Sequence, residues 1–144
     1  MIKSRKKLFG IVVGILLAAL LVTTWNPIIR TNLFVRLYHE DIEESLTLGM
    51  GVPADDAVLF GYKYVNTWEG EHSMTEFLIA ASGFIPESTY YGCYYSPDDV
   101  PLAFQNLDTV LVQEGDSWTW VGEGDNCGIT TKIMDNWYYF EASF

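Results

Sequence analysis

Lys3, Arg5, Lys6 and Lys7 crowd the start of the chain, and Leu8 to Val22 follow as fifteen residues drawn only from Leu, Ile, Val, Ala, Phe and Gly. A basic head on an apolar run is the pattern read by export machinery, and the positive end stays in the cytoplasm. The rest of the chain is therefore expected outside the cytoplasmic membrane. The uncharged stretch is eighteen residues long to Trp25, or continues to Ile29 before Arg30 interrupts it. A spanning helix needs roughly 20 apolar residues, with a lower limit near 17, whereas the core of a cleaved signal has about 7–15. The segment lies between the two. Val22-Thr23-Thr24 puts a bulky β-branched residue where a cleavage site wants a small one, and Trp25 stands where an interfacial aromatic belongs. A retained single-pass anchor, meeting the membrane through residues 8–25 with its N-terminus inside, is the leading expectation. Secretion after cleavage is the alternative.

Residues 1–25 thus form a head and anchor, or a signal peptide, and residues 26–144 a single extracytoplasmic domain. That domain holds only Arg30, Arg36, Lys63 and Lys132 against all nineteen acids, a formal charge of −15. Such a surface excludes nucleic acid as a partner, because phosphate binding needs basic density. It also disfavours adsorption on anionic lipid and is compatible with a cationic partner.

Asn26-Pro27 is a helix start, with Asn as cap and Pro at the first helical position. Leu33, Phe34, Leu37, Tyr38, Ile42 and Leu46 then fall at helical spacing, with Arg36, Glu40, Glu43, Glu44 and Thr47 on or near the other face. Gly49, Gly51 and Pro53 supply the stop. Beyond them the period changes to two. Strands are expected from Val58 to Val65, around Phe77 to Ala81, from Thr89 to Tyr95, and from Trp137 to Phe144. Thr109 to Gln113 and Ser117 to Val121 flank Glu114-Gly115-Asp116 as a hairpin. Ser96 to about Asn106 reads as a loop, since Pro97 and Pro101 cannot continue a strand. Ile129 to Met134 is ambiguous between a strand and a helical turn.

The expected fold is α+β: an N-terminal transmembrane helix, then an amphipathic helix packed on a five- to six-stranded antiparallel sheet. Cystatin-like and NTF2-like folds share this element order, an analogy of order alone, since no motif of either family is present.

Chemistry is sparsely marked. His39 and His72 have no Ser, Cys or second His at a useful spacing. Asp98, Asp99 and Asp125 lie in loops and are weak candidates for a cation, but they do not match the calcium-loop pattern, and turn-forming acids explain them. No resident metal or cofactor is expected. Cys93 and Cys127 are a candidate disulfide on the oxidising side of the membrane, with two free thiols as the alternative. The surplus of aromatics is the remaining signal. An uncovered sheet face carrying Trp118, Trp120, Trp137, Tyr91 and Tyr95 would suit stacking on a sugar or peptide, although rings on both faces would also simply build a core. The leading functional reading is a membrane-anchored extracytoplasmic binding or interaction module for a protein, peptide or glycan, without catalysis. A small carboxylate-dependent hydrolase and an accessory subunit of a larger membrane complex are the alternatives.

Overall fold

The computed structural model describes residues 2–52, 61–84 and 87–144. Helix α1 runs Ile2–Trp25 and helix α2 runs Pro27–Thr47. The junction follows from two adjacent residues. Asn26 donates its N–H to Val22 O at 3.0 Å and caps α2, its side chain accepting from Ile29 N at 3.1 Å. Pro27 has no N–H to carry the ladder onward, and the two helices meet at a bend of 93°. Among the described residues no single helix is long and apolar enough to cross a membrane; 7–22 and Pro27–Thr47 pass only as a bent pair, on length and composition. The expected membrane segment is therefore helical.

Seven antiparallel strands form one sheet: β1 Tyr64–Trp68, β2 Met74–Phe84, β3 Glu87–Tyr95, β4 Leu111–Glu114, β5 Ser117–Val121, β6 Cys127–Met134 and β7 Trp137–Ser143. Their order is β1-β2-β3-β7-β6-β5-β4. The expected count of five or six is corrected to seven, because Ile129 to Met134 is strand rather than helical turn, paired on both sides by β5 and β7. Of the first expected strand, Val58 to Phe60 lie outside the described residues, and pairing begins only at Tyr64.

α2 packs on one sheet face. Phe34, Val35 and Ile42 are buried there with Tyr62, Phe77, Ile79, Cys93 and Trp137, flanked by Tyr38, Leu46 and Tyr95. The helix stripe is rotated by about one residue from the expected one: Val35 is buried and Leu37 is 53% exposed. Buried Thr31 closes the first turn by donating to Pro27 O at 2.7 Å.

The opposite face is also covered, by a loop rather than a helix. β3 lies inside the sheet and β4 is the far edge, so residues 96–110 must cross β7, β6 and β5. Along that path Ala103 and Phe104 are buried with Met74, Tyr94, Trp120, Tyr138, Phe140 and Ala142. The expected alternation of Tyr138, Phe140, Ala142 and Phe144 on one face holds, and this is the face they line.

Candidate functional site

The crossing loop is clamped at three places. Near its start, Asp99 accepts from Lys132 Nζ at 2.6 Å, Asn136 N at 2.8 Å and Tyr138 Oη at 2.9 Å. The Lys132 ammonium beside it, with the other two donors, holds the Asp99 carboxyl below the ordinary Asp range. In the middle, Tyr94 Oη accepts from Leu102 N at 2.7 Å and donates to Leu102 O at 3.1 Å, a carbonyl that also accepts from Thr130 Oγ1 at 2.8 Å. Burial in that position pushes the Tyr94 phenol far up. At its end, Gln105 N donates to Glu76 Oε2 at 2.9 Å, and Asn106 Nδ2 donates to His72 O at 2.9 Å.

Gln105 and Asn106 both hold φ near +54°, and Asp99 φ near +53°. The left-handed region is uncommon for residues with a Cβ, although Asn and Asp tolerate it. Gln105 is the costly one of the three, and it is the residue whose N–H reaches the buried carboxylate.

Glu76 is 3% exposed, and it faces a cavity of about 460 Å³. The cavity is lined by Tyr64, Asn66, Glu76, Leu78, Tyr90, Phe104, Gln105 and Phe144. Tyr90 stacks on Phe104 at 5.6 Å, and Phe144 closes the cluster at 5.9 and 5.4 Å from the two rings. Burial pushes the Glu76 carboxyl up to about 7, against smaller lowering effects of Gln105 N–H and the Trp68 indole. That indole contributes weakly: Trp68 Nε1 is itself buried without a partner at hydrogen-bond geometry. Among the described residues Glu76 is the only acid in the lining, and no Lys, Arg or His lines it. A single carboxylate among rings and amides can bind and orient; it cannot supply the paired acids of glycoside hydrolysis.

The five expected platform residues do not come together. Strand parity and register place Trp118 and Trp120 on the face crossed by the loop, and Trp137, Tyr91 and Tyr95 on the helix face. Trp120 and Trp137 are core residues, at 2% and 0% exposure. Trp118, Tyr91 and Tyr95 are half-buried. The face holding both Trp118 and Trp120 is as expected from their spacing, but it is roofed rather than open.

The cysteines are likewise separated. Cys93 is buried and Cys127 exposed, and both are free. Cys93 aligns through Tyr139 with Thr131, so Cys127 lies two strands across and four residues along. That separation is roughly 16 Å from strand spacing and rise, beyond the roughly 7 Å that a disulfide can bridge. The candidate pairing is therefore corrected.

Asp98, Asp99 and Asp125 do not converge, and among the described residues no cluster of three potential ligands exists. Asp98 accepts from or pairs with His72 Nδ1 at 2.9 Å, and Asp99 anchors the loop. Asp125 is exposed in the turn before β6.

Sequence reasoning missed Glu76, which stands beside the strand expected around Phe77 to Ala81 and was not singled out as a site residue. A signal was present: Met74 and Leu78 flank it at spacing two, so an acid interrupts an otherwise apolar phase. Compared with known protein families, curated proteins and solved structures, the chain matches none of them.

Proposed function

We propose that the chain is a membrane-anchored extracytoplasmic binding module, held to the bilayer by residues 8–25 with the N-terminus inside, whose ligand occupies the cavity at Glu76. The single observation that supports it most is that cavity: a buried lone carboxylate, four rings and two side-chain amides facing one space of about 460 Å³. Volume and lining both suit a small ligand. Among the described residues the lining offers no second acid for the hydrolase reading.

Support for the anchor comes from α1, where Leu8, Phe9, Ile11, Ile15, Leu16 and Leu17 are all more than half exposed. An apolar helix exposed in this way is at home in lipid or against other apolar helices. The same exposure favours the second reading, an accessory subunit whose helix packs on a larger membrane partner.

The test uses the full-length chain in non-ionic detergent, screened against small fragments of mixed charge beside a Leu78→Trp variant that fills the cavity. Fragments that bind the natural chain and are lost on Leu78→Trp support the module. Binding that is absent, or indifferent to Leu78→Trp, sinks it. Recovery from cells of only a soluble species starting near Trp25 would remove the anchor.

A further inference from the structure

Among the described residues lining the cavity, the Glu76 carboxylate has no countercharge. Only four basic residues lie beyond the anchor, and two are engaged elsewhere: Arg30 Nη2 donates to Gly61 O at 3.2 Å, and Lys132 is taken by Asp99 and Asp135. Arg36 and Lys63 are exposed, and neither lines the cavity. A buried charge without a partner is costly, and proteins meet that cost by neutralising the group or pairing it. The rings beside it add a second preference. Tyr90, Phe104 and Phe144 present π faces and edges to the same space, and ring faces attract cations within about 6 Å. Asn66 and Gln105, at the exposed mouth, can accept hydrogen bonds through their amide oxygens. The strongly acidic domain surface, −15 beyond the anchor, raises the local concentration of cations at that mouth.

We propose that the cavity takes a small organic ammonium ion, its charged head against Glu76 and its apolar body among Tyr90, Phe104 and Phe144. The inference rests on the binding-module reading and adds the chemical class of the ligand. Binding of such a cation requires the ionised carboxylate, so affinity is coupled to the proton on Glu76. Among the described residues the titratable groups that face it are Tyr64 from β1, and Tyr90 and Tyr94 from β3, with the Cys93 thiol on the far side of β3; none of these is a carboxylate, amine or imidazole. The crossing loop offers it only the Gln105 N–H. With burial holding the Glu76 carboxyl near 7, the affinity rises about tenfold per pH unit below that point and levels off above it.

The probes are phenethylammonium and the neutral 2-phenylethanol, titrated by calorimetry into the full-length chain in non-ionic detergent at pH 5 and pH 8. The expected result is at least about tenfold tighter binding of the ammonium at pH 8, a preference that shrinks at pH 5 and disappears in Glu76→Gln. Glu76→Gln keeps the side-chain shape and an acceptor for Gln105 N–H. If it nevertheless fails to fold, the pH dependence in the natural chain decides alone. A preference for the ammonium that survives Glu76→Gln, or that is the same at both pH values, overturns the inference. Equal binding of both probes, lost for both on Leu78→Trp, overturns only the charge assignment and leaves a site for neutral ligands. No binding of either probe, or binding untouched by Leu78→Trp, overturns both.

Discussion

The Trp137 indole donates its Nε1–H to Glu43 Oε1 at 2.7 Å, joining residues 94 apart and fixing α2 on the sheet. Trp137 is fully buried at the middle of the helix-face core, against Phe77 at 5.8 Å and Tyr95 at 5.5 Å. The bond therefore settles the rotation of α2 as well as its contact. It also explains why Glu43, expected on the polar side of the helix, is drawn to the sheet.

Glu43→Ala leaves a buried N–H without an acceptor, and a loss of about 1–3 kcal/mol is expected in urea denaturation. Trp137→Ala should cost more, about 3–5 kcal/mol, since it also empties the core. An unchanged midpoint for Glu43→Ala would show that water replaces the carboxylate freely.

Asp99 ties the loop to the β6–β7 turn, and its φ of +53° is a conformation that Asn also tolerates. Asp99→Asn therefore removes the charge without adding backbone strain. Its lowered pKa means that the folded chain binds the proton more weakly than the unfolded one. The stability it adds is full above about pH 3.9 and is lost as pH falls below that. Thermal melts should find Asp99→Asn less stable than the natural chain at pH 7, with the gap closing towards pH 2. A gap that persists at pH 2 would assign the effect to shape rather than charge.

The thiols differ in access. Cys127 is exposed at the start of β6, and Cys93 is buried between Phe77 and Tyr139 on neighbouring strands, where burial raises its pKa well above the ordinary range. Without reductant, the native chain should take one alkyl label and the denatured chain two, by intact mass. One or no label after unreduced denaturation would mean a disulfide in the natural setting.

Local patterning made the helix–strand inventory readable. The Asn26-Pro27 cap, the hairpin at Gly115-Asp116 and the alternation from Tyr138 to Phe144 depend on neighbours in sequence, and all three stand in the structure. What could not be read is what depends on strand order. Nothing in the chain announces that β3 pairs with β7, and it is this pairing that sends residues 96–110 across the sheet. Once the loop crosses, Leu102-Ala103-Phe104 becomes a lid and Glu76 becomes buried. The same unknown order made one platform out of rings that parity assigns to two faces. An apolar triplet inside a Pro-bounded loop was the available hint that the loop had something to cover.

Trp120 lies over Gly128, its cross-strand partner, whose missing side chain makes room for the indole. A Cβ at Gly128 would collide with that ring and with the Glu141 carbonyl, neither of which can yield cheaply. Gly128→Ala should destabilise by about 1–3 kcal/mol as overpacking, and Trp120→Ala by about 3–5 kcal/mol as a cavity. Half-buried Trp118 should cost less than Trp120 when replaced by Ala. Equal losses for Trp118→Ala and Trp120→Ala in thermal or chemical melts would contradict the difference in burial between them.

Glu76 makes stability depend on pH in the opposite sense to Asp99. Its ordinary value is 4.5 and burial carries it to about 7, so the folded chain holds this proton more tightly than the unfolded one. Folding takes up a proton between those values, and stability falls as pH rises through that window and is level above it. At 1.36 kcal/mol per unit, the span amounts to about 3 kcal/mol at most. Glu76→Gln removes the titration while keeping an oxygen for Gln105 N–H. Its unfolding free energy should match that of the natural chain near pH 4 and exceed it by up to about 3 kcal/mol at pH 8. A natural chain whose stability is flat from pH 4.5 to 7, or a Glu76→Gln variant that is weaker at pH 8, would mean that the carboxylate is hydrated or paired in place. The buried lone charge on which the cavity's preference for a cation depends would then be absent.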